Sequence, residues 1–234
     1  MKNIKTLSKA GYIAAIVLTV IGVYACLSRY LLPASVHIWL SNLLYGPEYT
    51  QKALPALASK PGIEIVHRLL GAVYLIIGLI QFSPKFRKKR PGLHKTLGKI
   101  FMVFSITAAV SGMLFAALVP FAGFIEVFPI FTFAFFMLYA TYRAYAHIRQ
   151  GDVMRHREWI ARSYSVGLGI ATIRVMVLVI NYLTAFKLNQ QEVLMVSLWG
   201  GWVLTLGAVE IYNQMLRAEQ MKKQATRTKA KAMA

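Results

Sequence analysis

Apolar residues occur in six long runs that are separated by shorter polar stretches. The runs cover residues 11–32, 63–83, 96–119, 124–146, 159–185 and 193–215. A helix needs about 20 mainly apolar residues to cross the hydrocarbon core of a bilayer, and each run has this length. Backbone polar groups in that core are satisfied inside a helix. The pattern therefore predicts an all-α integral membrane bundle of six transmembrane helices.

The basic residues are concentrated in alternate connections. The N-terminus, the second-to-third connection, the fourth-to-fifth connection region and the tail contain three, seven, five and six Lys and Arg, and the intervening loops contain three, none and one. Such an excess marks the cytoplasmic side. We therefore expect an N-in/C-in protein: a cytoplasmic N-terminus at 1–10, a transmembrane domain at 11–216 with an outer loop at 33–62, and a basic cytoplasmic tail at 217–234.

Composition supports a membrane protein and argues against nucleic acid as a partner. Hydrophobic residues make up 57% of the chain and charged residues 15%, with a formal net charge of +19; the mean hydropathy is +0.53. The basic residues lie in short loops beside apolar runs, where they set topology. The expected partners are the lipid bilayer and, at the tail, anionic lipids. The oligomeric state stays open.

Ionisable residues near the outer ends of the runs are the first candidates for a ligand site, because charges inside a bilayer are costly. Glu64, His67 and Arg68 have the spacing that places them on one helix face. Arg174 lies at a similar depth by helix rise. Two interpretations stay open: a pocket for a small anionic group or a quinone head, and an ion-pair cluster that holds helices together. The candidate residues are Glu64, His67, Arg68, Glu126, Arg174 and Asn181.

A second cluster is expected at the inner ends. A carboxylate at Glu210 is expected to pair with Arg143 or Arg162. The interpretations are a haem or proton-relay site, or interfacial side chains beside lipid headgroups. The cluster comprises His94, His147, His156, Arg162 and Glu210.

Cofactor chemistry is only weakly constrained by motifs. Cys26 is the single cysteine, so an intrachain disulfide and a cysteine-based metal site are excluded. The chain has no His-Glu-x-x-His zinc motif, no Cys-x-x-Cys-His haem motif and no nucleotide-binding glycine loop. We predict no metal site. One b-type haem, with His94 and His156 as the ligand pair, or a quinone is compatible with the sequence.

Several motifs in a fixed order resemble the bacterial membrane proteins grouped as domain-of-unknown-function family 2306. They extend over roughly residues 60–185 and comprise 67–71, 78–82, 90–99, 151–152, 156–164 and 173–174. The family pattern has Met where this chain has Ile160. The resemblance implies a multi-pass protein of a bacterial cytoplasmic membrane with no established activity. It adds Gln81 to the ligand-site residues and singles out His67, His94, His156, Arg162 and Arg174.

Three functions follow as hypotheses, and no catalytic signature assigns a reaction. The leading hypothesis is a binding protein for a small ligand or lipid-soluble cofactor in an outer-facing polar pocket. The second is a b-type haem electron-transfer protein. The third is a non-catalytic assembly or scaffold protein. Glycines in the runs are expected to mark close helix contacts: Gly71, Gly78, Gly98, Gly112, Gly167, Gly169, Gly200 and Gly207.

Overall fold

The computed structural model describes residues 2–120 and 123–232, and this part of the chain forms helices and no strand. The elements are α1 (Lys2–Leu31), α2 (Ala34–Tyr45), α3 (Pro47–Ala58), α4 (Pro61–Phe82), α5 (Pro84–Lys89), α6 (Pro91–Leu118), a 3₁₀ turn (Phe124–Glu126), α7 (Val127–Arg149), α8 (Val153–Leu183) and α9 (Gln190–Ala232). The last two residues of the predicted tail, 233 and 234, and Met1 lie outside the described residues.

Six helices are long and apolar enough to cross a bilayer: α1, α4, α6, α7, α8 and α9. The prediction of an all-α protein with six transmembrane helices is confirmed. Several helices extend beyond the apolar runs, since α6 begins at Pro91, α8 begins at Val153 and α9 continues to Ala232. Hydropathy marks only the apolar part of a helix, whereas backbone hydrogen bonds continue into the polar flanks.

The connection at 33–62 contains two helices. Both α2 and α3 lie within the stretch predicted as the outer loop, and α3 forms although this stretch is rich in proline. Pro47 and Pro61 occupy the first turns of α3 and α4, where proline has no hydrogen bond to lose and its fixed φ suits the helix. Gly46, with φ 83°, forms the turn between α2 and α3.

The core of the bundle is built around α8. This helix packs against α1, α2, α4, α7 and α9. Tyr74 of α4, Phe101 of α6 and Tyr164 of α8 form a buried aromatic cluster, with the Tyr74 and Phe101 ring centroids 4.7 Å apart. Gly78 makes room for the cluster, because a Cβ at this position would lie 2.2 Å from the Tyr164 ring.

The outward faces of the long helices are apolar. Val103 of α6 and Val203 of α9 are 59% and 58% exposed. Aliphatic side chains at that exposure suit contact with lipid tails. We call the end of the bundle at which the basic connections lie the inner end, and the opposite end, which α2 and α3 cover, the outer end.

Candidate functional site

A buried carboxylate at the outer end joins α4 to α1. Glu64, in the first turn of α4, is 2% exposed. Its Oε1 lies 3.0 Å from Nε of Arg68, one turn along the same helix, and 3.5 Å from Nε of Arg29, near the end of α1. Arg68 also donates from Nη1 to the carbonyl oxygen of Ala25 at 2.9 Å. Two arginines therefore share one carboxylate.

His67 and Arg174 lie close to this ion pair but have other partners. Nδ1 of His67 is 3.1 Å from Oγ of Ser111 on α6. Arg174 donates from Nη1 to the carbonyl oxygen of Ile170, one turn earlier in α8, at 2.9 Å. The charge of Arg174 acts electrostatically on both His67 and Arg68. Within the described residues, no carboxylate lies at ion-pair distance from Arg174.

His37, on α2, lies near Arg68 and Arg29. Its Nδ1 is buried and has no hydrogen-bond partner among the described residues. Burial lowers the pKa of His37 below its ordinary value of 6.5, and the positive charges of Arg68 and Arg29 lower it further. The imidazole is therefore held in its neutral form beside two arginines.

We call this group the outer site and define it by six residues: Arg29, His37, Glu64, His67, Arg68 and Arg174. It contains three guanidinium groups and one carboxylate, so positive charge is in excess by two. Guanidinium groups donate strong, charge-assisted hydrogen bonds to carboxylate, phosphate and carbonyl oxygens. Excess positive charge at a site of low dielectric constant favours an anion or a strong hydrogen-bond acceptor.

Asn181, expected near Arg174, has a structural position instead. It is fully buried, and its Nδ2 donates to the carbonyl oxygen of Leu44 at 2.9 Å and to Oε1 of Gln190 at 3.0 Å. Nε2 of Gln190 donates back to Oδ1 of Asn181 at 2.9 Å. These bonds join α8 to α2 and α9. Because both the nitrogen and the oxygen of the Asn181 amide already have hydrogen-bond partners, the side chain has little capacity left to bind a ligand.

Glu126 and Gln81 are likewise not among the contacts of the outer site. Glu126 is 3% exposed at the end of the 3₁₀ turn. Burial raises the pKa of Tyr49, on α3, and the negative charge of Glu126 raises it further. Gln81 lies in the last turn of α4, roughly 25 Å of helix rise from Glu64. Its Nε2 is buried without a hydrogen-bond partner among the described residues. The structure thus separates Gln81 from the group in which the sequence placed it.

The inner end contains a cavity of about 520 Å³ between the last turns of α7, the first turns of α8 and the outgoing part of α9. We call it the inner pocket. Its apolar wall includes Phe136 and Met154, and its polar wall contains four arginines, one histidine and a tryptophan: Arg143, Arg155, Arg162, Arg217, His147 and Trp159.

Ion pairs order most of these arginines. Arg162 donates from Nε and Nη2 to Oε2 of Glu210 at 2.9 and 2.6 Å, so Glu210 pairs with one of the two partners expected for it. Arg217 forms a two-pronged pair with Glu158, a carboxylate that is 4% exposed. Both pairs connect α8 to α9. The first residue of the predicted tail is therefore part of the packed bundle.

The inner histidines do not form one cluster with a metal-binding geometry. Within the described residues, no group of three His, Cys, Asp or Glu side chains is placed to hold a metal ion. Nδ1 of His156 lies 2.8 Å from the carbonyl oxygen of Ala144, a contact that requires a proton on Nδ1 and leaves Nε2 as the basic nitrogen. His94 interacts electrostatically with His156. His147 also interacts electrostatically with His156 and lines the inner pocket.

Comparison with known proteins identifies the family. A family model described as predicted membrane protein (DUF2306) matches residues 64–212. The chain belongs to this family. No curated protein and no solved structure matches the chain.

The DUF2306 match begins at Glu64, so α1, α2 and α3 lie outside it. Two residues of the outer site, Arg29 and His37, come from that unmatched part. The inner pocket is mostly inside the match, since Glu158 and Glu210 belong to it and Arg217 follows it. The DUF2306 match therefore includes all three carboxylates that pair with arginines of the inner pocket, Asp152, Glu158 and Glu210, but only part of the outer site.

Sequence reasoning missed several residues that these helices bring together. Arg29 was counted with the first outer loop although it lies near the end of the first apolar run, and no sequence pattern placed His37 beside it. The hydroxyl groups of Ser105, Thr141 and Ser163 form a fully buried triangle with oxygen separations of 2.7, 2.8 and 3.1 Å. Neutral serines and threonines inside apolar runs have no distinctive signal, because they are common at helix contacts in membranes.

Proposed function

We propose that this protein binds a lipid-soluble molecule with a small anionic or carbonyl-bearing head, such as a quinone, at the outer site. The observation that carries the proposal is the charge balance: Arg29 and Arg68 share one buried carboxylate, and the neighbouring Arg174 has no carboxylate partner in the described chain. An arginine near lipid is costly to hold without a counter-charge, and the Ile170 carbonyl accepts from only one nitrogen of a guanidinium group that has five N–H donors. A ligand oxygen would supply one.

The two histidines beside the arginines support the same ligand chemistry. His37 has a buried nitrogen without a partner in the part of the chain that the structure describes, and Nδ1 of His67 is hydrogen-bonded to Ser111. A neutral imidazole donates one hydrogen bond and accepts another. With the arginines it would distinguish a head group that has oxygen acceptors from a plain hydrocarbon.

The test uses Arg174→Leu and, as its control, Lys52→Leu, which removes an equal charge from α3, where Lys52 is exposed and pairs only with Glu48. Each variant and the wild type are purified in mild detergent, and the co-purified small molecules are extracted and compared by mass spectrometry. We expect one lipid-soluble species to be lost in Arg174→Leu and kept in Lys52→Leu. The same extracts from all three proteins, at equal recovery of monodisperse protein, would contradict the proposal.

A b-type haem held by His94 and His156 is the second candidate. It is supported by the hydrogen bond of His156 to Ala144, which leaves Nε2 available as a ligand, and by the electrostatic interaction between His94 and His156. A hydrogen bond at Nδ1 commonly orients a histidine that binds a metal through Nε2. The visible spectrum of purified protein before and after dithionite decides: a Soret band that sharpens on reduction supports haem, and a flat spectrum removes it.

We also propose a location and an orientation. The distribution of Lys and Arg favours a bacterial cytoplasmic membrane with both termini in the cytoplasm, and the basic residues of α9 beyond Arg217 suit anionic lipid headgroups. Reporter fusions to the C-terminus test this orientation. Fluorescence of a C-terminal fluorescent protein supports a cytoplasmic end, whereas activity of a C-terminal alkaline phosphatase would reverse it.

A further inference from the structure

The inner pocket has a charge imbalance of its own. Three of its arginines have carboxylate partners: Arg155 with Asp152, Arg162 with Glu210 and Arg217 with Glu158. Within the described residues, Arg143 has no carboxylate partner. Its Nη1 donates to the hydroxyl oxygen of Tyr139 at 2.7 Å, and its Nη2 lies 3.4 Å from Nε2 of His147.

Aromatic side chains and hydrogen bonds orient the Arg143 guanidinium group. Its guanidinium carbon lies 5.1 Å from the centre of the Trp159 ring, and that of Arg162 lies 4.5 Å from the same ring. Tyr139 packs edge-on against Trp159 with centroids 5.4 Å apart. Stacking on an aromatic ring orients a guanidinium group while its N–H groups stay available at the ring edge. Two arginines are thus positioned by one tryptophan.

His147 adds a buried donor to the same pocket. The residue is 7% exposed. Its Nε2 lies next to the Arg143 guanidinium, which can only donate, so Nε2 accepts and the proton is on Nδ1. Nδ1 has no hydrogen-bond partner in the described chain, and the nearest carboxylate oxygen, of Asp152, is 3.7 Å away. A buried N–H group without an acceptor is costly, and an oxyanion in the pocket would satisfy it.

We infer that the inner pocket binds the phosphate group of an anionic phospholipid of the inner leaflet, with Arg143 as the main contact. The donors suit a tetrahedral oxyanion, and the apolar wall that includes Phe136 and Met154 suits the start of an acyl chain. Tryptophan and tyrosine with arginine at a helix end are typical of the headgroup layer of a bilayer. The inference is independent of the outer site, which lies at the other end of the bundle.

The test measures lipid binding to full-length protein in an uncharged detergent by native mass spectrometry. Phosphatidylglycerol is titrated against the wild type, and phosphatidylcholine serves as the lipid without net charge. We expect saturable binding of phosphatidylglycerol and at least tenfold weaker binding of phosphatidylcholine. We expect Arg143→Gln to weaken phosphatidylglycerol binding by about tenfold or more, the usual effect of removing a charge-assisted hydrogen bond.

The matched control is Arg149→Gln. Arg149 lies in the last turn of α7, is exposed, and is not part of the pocket wall. The Arg149→Gln variant removes the same charge from the same end of the bundle. We expect its affinity for phosphatidylglycerol to stay within about twofold of the wild-type affinity, since exposed charges are strongly screened. An equal loss in both variants would reduce the effect to diffuse attraction and overturn the inference.

Two further arms complete the design. In the first, inorganic phosphate at millimolar concentration is added as a competitor. If phosphate does not displace phosphatidylglycerol, the lipid assignment is supported. If phosphate displaces it with an affinity equal to that of the lipid, the pocket binds a soluble phosphate compound and the lipid assignment is overturned. If Arg143→Gln does not stay monodisperse, Arg143→Lys replaces it. Lysine keeps the charge but loses the planar fork, so weaker binding supports the inference and wild-type affinity overturns it.

Discussion

Replacing Glu64 with glutamine removes the carboxylate that Arg29 and Arg68 share. The side chain keeps its shape and its burial, but the two arginines lose their counter-charge. Removing one partner of a buried ion pair is far more costly than removing an exposed one, because the remaining charge stays desolvated. Glu64 is 2% exposed, and the side chains of Arg68 and Arg29 are 15% and 22% exposed. The ion pair is therefore mostly shielded from solvent, and the cost expected for a buried pair applies.

The magnitude follows from the distances. At an effective dielectric constant of about 20, charges separated by 3.0 and 3.5 Å attract by about 5 kcal/mol each. The desolvation of Glu64, several kcal/mol, is recovered when the charge is removed. We expect Glu64→Gln to lower the free energy of unfolding by about 3–5 kcal/mol. Because the excess positive charge at the outer site then rises from two to three, Arg68→Gln added to Glu64→Gln should restore part of the loss.

The assay is reversible unfolding in mixed detergent micelles, followed by circular dichroism, for the wild type, both single variants and the double variant. A double-mutant cycle isolates the coupling between Glu64 and Arg68. Lys52→Gln at the exposed pair on α3 is the control and should change stability by less than about 0.5 kcal/mol. A Glu64→Gln protein within about 0.5 kcal/mol of the wild type would refute the claim that the outer end depends on this ion pair.

Three other outcomes are expected. A Cβ at Gly201 would lie 2.8 Å from the backbone nitrogen of Ile173, so Gly201→Ala should destabilise the protein by about 1–3 kcal/mol. Gly207→Ala is the control and should not destabilise it, because no atom of the described residues lies within 4 Å of the added Cβ. Equal unfolding temperatures of the two variants would contradict this prediction. Tyr164→Phe removes hydroxyl bonds to Thr19 and Leu75 of 2.7 and 2.9 Å and should cost about 1–2 kcal/mol in the same unfolding assay. Because burial and two arginines lower the pKa of His37 in the folded state, protons bind the unfolded state more tightly, and stability should fall as the pH decreases below about 6.5. His37→Gln should flatten that dependence in unfolding curves measured from pH 7.5 downwards, and an unchanged slope would contradict it.

Glycine contacts show where sequence patterns reach their limit. Gly78, Gly167 and Gly169 mark close helix contacts as expected, since a Cβ at each would lie within 2.5 Å of an aromatic side chain. The expectation for Gly207 was wrong, because no atom of the described residues lies within 4 Å of the position that its Cβ would take. Gly201, which was not singled out, makes the closest backbone approach of these glycines. A glycine in an apolar run permits a close contact, but the rotation of its helix decides whether a neighbour is there.

The sequence by itself determined the all-α class, six membrane helices and the ends at which charge is concentrated, because bilayer thickness and the energy of burying charge act on each segment separately. The ion pair of Glu64 and Arg68 was also within its reach, since residues four apart meet on one helix. Only the tertiary structure decided which helices share a polar site. It brought Arg29 to Glu64 and His37 to the two arginines, placed Asn181 and Gln81 elsewhere, and packed Arg143 and Arg162 against Trp159. These contacts depend on the rotation and depth of each helix, and those are set by packing against neighbouring helices that are distant in the chain.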